Sequence, residues 1–278
     1  DFTLRLGGRA AAIEGFRPGL LHTDRSIPLI AWILIDFNPN IRAEIIRGQA
    51  ESATRFFELF HPTSAIGVKL VSDRSETLAS LAHDPAAVRA AFEQFSQRRA
   101  ELRSGSSADA VEVGKAGIMR AIELAIGEIE SYARSQPSLQ GREAHRAVMI
   151  LSDGNVNPSV KARPLYDEAA RAGVFLYPVF VPRPVYGPWL SSFFDLAKKT
   201  GGVASIFGAL NPELDWISLS RPNTEANALV FNFIHMARDL NGKYSLVVPV
   251  PPAGKGTRLE IRCRIKGLEL RVPRRHLP

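Results

Sequence analysis

The sequence contains only one cysteine, Cys263. A single cysteine excludes an intrachain disulfide and the paired cysteines of a CxxC metal or redox site. Cys263 lies in TRLEIRCRI (257–265), where Leu259, Ile261 and Ile265 share its side of a predicted strand. A thiol on the apolar face of a strand is expected to be packed and inert, and not a nucleophile.

Long apolar runs are also absent. The longest run, IPLIAWILI (27–35), has the length of a strand, whereas a transmembrane helix needs about 20 predominantly apolar residues. We therefore expect no transmembrane segment in this chain. The sequence begins at Asp1 and not at methionine, as expected of a fragment or a processed product.

Several signatures of enzymes are missing. The sequence has no GxxxxGK[ST] phosphate loop, and LGGRAA (6–11) lacks the GxGxxG spacing. It has no GxSxG nucleophile elbow. The six histidines form no HxxH or HExxH pair, which disfavours a zinc site.

The charge balance is basic, with 35 Lys and Arg against 28 Asp and Glu and a formal net charge of +7. A basic chain can bind nucleic acid or another anionic surface. Here the basic residues are spread along the chain, which favours a solvated surface. The best stripe for nucleic acid is the arginine face of TRLEIRCRIKGLELRVPRR (257–275), but it lacks interleaved aromatics.

Between residues 27 and 240, apolar runs of strand length alternate with amphipathic runs of helical period. This order predicts an α/β fold with a doubly wound, mainly parallel sheet. Strands are predicted at 27–36, 64–73, 145–154, 174–182 and 203–208, with an antiparallel edge strand in ETLASLAHD (76–84). Helices are predicted at 39–60, 85–102, 113–135, 161–173, 189–202 and 224–240.

The two chain ends have an all-β pattern. Gly7-Gly8 separates strand-like runs at 2–6 and 10–16, which predicts a hairpin. From residue 243, period-two alternation predicts further antiparallel strands. We expect the ends to meet in one small accessory antiparallel β module. The predicted division is 1–24 and 242–278 for this module and 25–241 for the α/β domain.

Two carboxylates end predicted parallel strands, Asp36 after IPLIAWILI and Asp153 after HRAVMILS. Ligands of open α/β sheets bind beyond the carboxyl ends of the strands, so both side chains are predicted at one rim. Asn38 and Asn40 follow Asp36 at alternate positions and add side-chain oxygens, as at the start of a cation site. Asn38 before a proline is equally a good helix N-cap, worth about 1 kcal/mol. The residues leave both interpretations open.

ILIDFNPN (33–40) resembles the DxSxS motif of von Willebrand factor A domains, and ILSDG (150–154) resembles the second acidic motif of that family. Both flanks, DFTLRLGGRAAAIEGFRPG (1–19) and RDLNGKYSLVVPVPP with the following LEIRCRI and LELRVPRR, are similar to those of its bacterial Acidobacteria-type subfamily. The resemblance covers nearly the whole chain. It implies a Rossmann-like von Willebrand factor A fold, secretion to the periplasm or cell surface, and a non-catalytic module for protein recognition.

The family holds a divalent cation at this rim with the Asp and two Ser of DxSxS, a Thr from a later loop and the second Asp. By resemblance, Asp36 and Asp153 match the two Asp residues, and Asn38 and Asn40 stand in place of the serines. A carboxylate from an acidic protein partner can fill the open coordination position.

The threonine of the family pattern has no counterpart. KAGIMRAI (115–122) aligns with the segment around it, which puts Ala116, without a side-chain oxygen, at that position. Ser104, Ser106 and Ser107 in the preceding loop are weaker substitutes. The resemblance therefore implies a degenerate metal site, with Mg²⁺, Mn²⁺ or Ca²⁺ bound weakly or not at all.

The implied partner surface consists of the rim loops 36–40, 103–116, 153–160 and 183–188. Its candidate contact residues are Ser106, Ser107, Asn155, Asn157, Tyr186 and Trp189. Exposed aromatic residues often anchor interfaces, although local packing explains Tyr186 and Trp189 as well. A turn explains Asn155 and Asn157 as well.

Two alternative functions remain open. Rim carboxylates with a bound cation can activate water in a metal-dependent hydrolase, but no base or nucleophile stands near them in a recognised motif. A basic module for nucleic acid or an anionic surface would lose binding steeply as salt is added. We favour the protein-binding module over both.

Overall fold

The computed structural model describes residues 2–6, 9–17, 27–37, 46–72, 75–104, 110–139, 143–154, 162–181, 190–207, 228–243, 245–247 and 259–263. The strands are β1 (Phe2–Leu6), β2 (Arg9–Ala11), β3 (Gly15–Arg17), β4 (Leu29–Asp36), β5 (Ala65–Val71), β6 (Ser75–Ala82), β7 (His145–Ser152), β8 (Val174–Phe180), β9 (Ser205–Ile206), β10 (Ser245–Val247) and β11 (Leu259–Cys263). The helices are α1 (Ala50–Arg55), α2 (Pro85–Ser104), α3 (Ala110–Ser135), α4 (Ala162–Ala172), α5 (Leu190–Thr200) and α6 (Ala228–Asn241), with 3-10 turns at Phe56–Leu59 and Pro137–Leu139.

The large sheet has the strand order β6-β5-β4-β7-β8-β9. All neighbours pair in parallel except β6, which is antiparallel to β5 and forms one edge. The doubly wound, mainly parallel sheet and its antiparallel edge strand are therefore confirmed. The chain winds outward in both directions from the pair β4 and β7, so the topological switch point lies between these two strands.

Helices cover both faces of this sheet, which explains the unbroken apolar run in β4. Leu29, Ile33 and Ile35 face a core shared with α1, α2 and α6. Trp32 and Leu34 face a second core, shared with α3, α4 and α5. A strand buried on both faces needs apolar side chains at every position and not at alternate ones.

The continuous helix predicted for 39–60 is wrong in its central part. The chain forms a turn at Gly48 and Gln49 before α1 begins, and it changes to a 3-10 turn after Arg55. Glycine is a poor helix former, and Gln49 is buried with its Oε1 atom accepting a 2.9 Å hydrogen bond from the Leu229 N–H of α6. Residues 38–45 lie outside the described residues.

The chain ends form two small antiparallel sheets. β1 pairs with β2 across Gly7-Gly8, as predicted, and it also pairs with β11 from the other end of the sequence. β3 pairs with β10 in the second small sheet. The accessory β module built from both ends is therefore confirmed, while the domain bounds at 24 and 242 stay a prediction. The single strand predicted over 10–16 is wrong, because β2 and β3 are separate strands that belong to different sheets. The strand predicted in LELRVP lies outside the described residues.

No helix within the described ranges is both long enough and apolar enough to cross a bilayer.

Candidate functional site

The carboxyl ends of β4 and β7 lie side by side at the switch point. In the parallel register of these strands, Ile35 is opposite Leu151. The next residues along the two strands are Asp36 and Ser152, the last residue of each. The register therefore places Asp36 beside Ser152 at the rim, with Asp153 immediately beyond.

Backbone hydrogen bonds hold this rim on both sides of the pair. The Phe37 N–H donates to the Val71 carbonyl at the end of β5, with an N–O distance of 2.7 Å. The Val181 N–H donates to the Ser152 carbonyl across 2.8 Å. Four neighbouring strands consequently end at one level, and the residues that follow them emerge at the same edge.

The side chains of Ser152 and Asp36 are in direct contact. Ser152 Oγ donates a hydrogen bond to Asp36 Oδ2 at 2.7 Å. Both side chains are buried, with relative exposures of 1% for Ser152 and 6% for Asp36. A hydroxyl that donates to a carboxylate in a shielded site makes one of the stronger kinds of protein hydrogen bond, so this contact fixes the orientation of the Asp36 carboxylate.

The same hydroxyl also accepts a hydrogen bond. The Gly154 N–H donates to Ser152 Oγ at 3.2 Å. Gly154 has a φ of 75°, a left-handed conformation that glycine adopts without steric cost. We call the series from the Gly154 N–H through Ser152 Oγ to Asp36 Oδ2 the Ser152 bridge. It joins the turn after β7 to the end of β4 at the rim.

The sequence alone does not reveal the role of Ser152, although the residue is part of the ILSDG motif. One local signal was present: Ser152 is the single polar residue within the apolar run AVMILS that precedes Asp153. Its partner could be named only from the register between β4 and β7, which the sequence does not contain.

The structure brings two of the predicted site residues together at one rim. Asp36 and Asp153 lie there as predicted, and Asp153 is buried with a relative exposure of 2%. Ser104 is the last residue of α2, and Ala116 lies within α3. The other predicted site residues lie outside the described residues, namely Asn38, Asn40, Ser106, Ser107, Asn155, Asn157, Tyr186 and Trp189.

The described residues alone do not complete a cation site. Asp36, Ser152 and Asp153 supply side-chain oxygens, whereas Mg²⁺ needs a near-ideal octahedron of oxygen ligands. Oδ2 of Asp36 already accepts the Ser152 hydrogen bond. Over the described ranges, no cluster of three or more His, Cys, Asp or Glu residues is arranged to hold a metal ion. The hydrogen bond between Ser152 and Asp36 joins the two strand ends directly.

Comparison with known proteins gives a fold and no family assignment. No family model matches the chain, and no curated protein matches it. Solved structures do match. The TFIIH p34 N-terminal domain is 17% identical with a TM-score of 0.50, and the match covers 71% of this chain and 98% of that one.

Two further structures match with lower TM-scores. A von Willebrand factor type A structure from Catenulispora acidiphila is 15% identical with a TM-score of 0.48, covering 82% of this chain and 50% of that one. The manganese-loaded TRAP protein of Plasmodium vivax is 13% identical with a TM-score of 0.44, covering 90% of this chain and 81% of that one. At these identities the likeness concerns the fold alone. The fold that the sequence resemblance implies, a mainly parallel α/β sheet with helices on both faces, is the fold observed in this chain.

Proposed function

We propose that this chain, which has the fold of a von Willebrand factor A domain, is a non-catalytic module that binds a protein partner through the carboxyl rim of its large sheet. The observation that carries this proposal is the Ser152 bridge, which lies at the switch point between β4 and β7. Open α/β sheets bind their ligands beyond the strand ends at this point. The bridge orders the rim, and an ordered rim loses less conformational entropy when a partner binds.

The metal site in this proposal is degenerate. Asn38 and Asn40 stand where the family motif has serines, and Ala116 stands where it has a threonine. A cation at Asp36 would share the carboxylate with the Ser152 hydroxyl, which already donates to Oδ2. Both features favour a rim that is held by hydrogen bonds and binds a divalent cation weakly.

A role in recognition is favoured over hydrolysis by the burial of the two carboxylates. Asp36 and Asp153 are almost completely shielded from solvent, and one oxygen of Asp36 is engaged by Ser152. A general base must reach the proton of an attacking water within hydrogen-bond distance. In our proposal the carboxylates shape the rim, and residues of the adjoining loops contact the partner. An extracytoplasmic site of action is part of the same proposal and rests on the sequence resemblance alone.

The proposal is tested by site-specific photocrosslinking in cells that produce the chain. A photoreactive amino acid replaces Asn157, which the sequence predicts in a rim loop, and the matched control replaces Thr63, which is exposed at the opposite, amino end of β5. We expect one discrete protein adduct with the Asn157 probe and none with the Thr63 probe.

Two outcomes would overturn this function. Adducts at Thr63 that equal those at Asn157 would show that the rim is not the binding surface. An adduct that disappears after nuclease treatment would support the alternative of a basic nucleic-acid module.

A further inference from the structure

Basic residues that are far apart in the sequence meet at one end of the α/β domain. The last turns of α3, α4, α5 and α6 each carry at least one Lys or Arg, and these residues are Arg134, Arg171, Lys198, Lys199 and Arg238. Only Gly173 separates the end of α4 from β8, and residues 201–204 separate the end of α5 from β9. The last turns therefore lie at the amino ends of the parallel strands, opposite to the carboxyl rim.

Hydrogen bonds and helix packing join these ends. Arg146 in β7 donates from Nη1 to the carbonyl oxygen of Ala172, the last residue of α4, at 2.9 Å. His145 Nε2 lies 3.0 Å from Oδ1 of Asn241, the last residue of α6. Helix α4 packs against both α3 and α5, and the axes of packed helices are about 8–10 Å apart. We call the resulting surface the basic end, and it consists of Arg134, Arg146, Arg171, Lys198, Lys199 and Arg238.

The cations of the basic end are accessible to a partner. Four of them are exposed, namely Arg134, Arg171, Lys198 and Arg238, and the other two are partly exposed. None of the five cations in the helix ends forms an ion pair with another residue in the described part of the chain. Their charges are therefore not neutralised within the domain.

Carboxylates offset only part of this charge. Asp239 accepts hydrogen bonds from Lys243 Nζ at 2.7 Å and from the Tyr177 hydroxyl at 2.6 Å, so Lys243 balances its charge. Lys243 Nζ also donates to the Gly201 carbonyl just beyond α5 at 2.8 Å. Glu143, two residues before β7, is exposed. The described residues at this end keep an excess of positive charge.

Stabilisation of the helix ends does not by itself explain the arrangement. A cation in the last turn is favourable because the helix dipole leaves partial negative charge there. The same dipole favours acidic residues in the first turn, yet α4, α5 and α6 have none in that position. Arg146 belongs to a strand and not to a helix. The charge is thus placed at one end of the domain and is not distributed as the helix dipoles alone would require.

The layout of the basic end favours a broad anionic surface as its partner. Its helices come from both faces of the sheet, with α3, α4 and α5 on one face and α6 on the other. Sites for single-stranded nucleic acid add aromatic side chains that stack on the bases. The large apolar side chains that are exposed in the described part of the chain, Leu124 in the middle of α3 and Phe231 in the first turn of α6, lie away from this end. Clustered Lys and Arg without such aromatics are typical of attraction to anionic lipid headgroups.

We propose that the basic end adsorbs to a bilayer surface that contains anionic phospholipid. Each Lys or Arg close to such a surface strengthens binding about fivefold, so several cations that are weak singly bind together. In this orientation the carboxyl rim lies at the far end of the strands and faces away from the bilayer. The basic end and the rim are separate surfaces, so this proposal and the proposed binding of a protein at the rim can fail independently.

The proposal is tested by sedimentation of the chain with lipid vesicles. One set of vesicles contains phosphatidylcholine alone, and the other contains about 30% phosphatidylglycerol as the anionic lipid. We expect binding to the anionic vesicles alone, with a steep loss between about 0.05 M and 0.5 M salt, because salt screens exposed charges. No binding at low salt, or equal binding to both vesicles, would overturn the proposal.

Two double variants with the same net charge locate the surface. Arg171→Gln with Lys198→Gln removes two cations of the basic end. Arg47→Gln with Arg120→Gln removes two exposed cations elsewhere, and Arg120 lies about 21 Å along α3 from Arg134. We expect the first double variant to bind anionic vesicles about 25-fold more weakly and the second to stay within about threefold of wild type. Equal losses would show that overall charge is responsible and would overturn the proposal.

Two further results would contradict a membrane surface. A lower urea midpoint for Arg171→Gln with Lys198→Gln, together with unchanged vesicle binding, would mean that these cations only stabilise helix ends. Retardation of duplex DNA in electrophoresis by a wild-type chain that does not bind the vesicles would assign the basic end to nucleic acid.

Discussion

Ser152 Oγ donates a 2.7 Å hydrogen bond to Asp36 Oδ2, although the two residues are 116 positions apart in the sequence. The bond crosses the switch point of the sheet and holds one of the two carboxylates that the sequence marks as a candidate cation site. It joins the ends of β4 and β7 through side chains of the chain itself, and the first two predictions below depend on it.

Ser152→Ala is expected to lower the free energy of unfolding by about 1–3 kcal/mol, because it leaves the buried Asp36 carboxylate and the Gly154 N–H each short of a partner. The measurement is urea denaturation followed by circular dichroism. Ser80→Ala, at an exposed position of β6, is the control and should change stability by less than about 0.5 kcal/mol. Equal midpoints for the two variants would show that the Ser152 bridge contributes nothing to stability.

Divalent cations are expected to bind weakly, with dissociation constants of about 10⁻⁴ M or higher, because the site is short of oxygen ligands. Calorimetric titration of EDTA-stripped protein with Mg²⁺, Mn²⁺ and Ca²⁺ measures this, beside an Asp36→Ala control. Micromolar binding that is lost in the control would refute the degenerate site and point to cation-bridged recognition of an acidic partner. The absence of heat with every ion would leave a metal-free scaffold.

Gly67→Ala and Gly127→Ala are expected to change stability in opposite directions. A Cβ at Gly67 would lie 2.3 Å from Trp32 Cζ3, so the ring must move at a cost of about 1–3 kcal/mol. A Cβ at Gly127 meets no atom within 4 Å, and alanine in an open helical position stabilises by roughly 0.5–1 kcal/mol. Paired urea titrations test both changes. A stable Gly67→Ala variant would mean that the indole does not rest on β5.

Stability is expected to fall above about pH 10 partly through Tyr166. Burial raises the pKa of Tyr166 above its ordinary value of 10.0, and the nearby Asp195 carboxylate raises it further. As pH rises past 10.0, the unfolded chain loses this proton before the folded chain does. The unfolded state then binds fewer protons, so the free energy of unfolding decreases with pH.

Tyr166→Phe cannot ionise, so it should lose less stability than the wild-type chain when urea midpoints are compared at about pH 9 and pH 11. Burial also raises the pKa of Tyr132, and a residual alkaline loss should therefore remain in the variant. A difference between the two midpoints that is the same in wild type and Tyr166→Phe would contradict the contribution of Tyr166.

Much of the architecture could be predicted because it depends on local patterns. The unbroken apolar run of β4 and the helical spacing of the apolar residues in α3 are both local patterns. The structure places both segments in the core. Gly173 ends α4 with a φ of 66°, as expected where a helix stops at a left-handed residue. The helix predicted across Gly48 and Gln49 is interrupted by a turn. At this turn the buried Gln49 side chain accepts a hydrogen bond from the Leu229 N–H of α6, a contact that no local pattern encodes.

Part of the candidate site could be predicted in the same way. The two aspartates stand at the ends of apolar runs, and the general rule for parallel sheets places both at one rim. Ser152 could not be named as the partner of Asp36, because their contact depends on the register between two strands far apart in sequence. The rim loops around Asn38, Asn155 and Tyr186 lie outside the described residues, so their roles stay predictions.

The sequence by itself determined the order of strands and helices, the hairpin at Gly7-Gly8 and the position of Asp36 and Asp153 at strand ends, since each follows from neighbours within a few residues. Only the tertiary structure decided the pairing of β1 with β11, the Ser152 bridge, and the meeting of Trp32, Lys69 and Glu128. The physical reason is that hydrogen bonds and ion pairs between distant segments require a particular register and packing distance. A one-residue shift of a strand turns its side chains to the other face, and no local pattern encodes which partner then lies opposite.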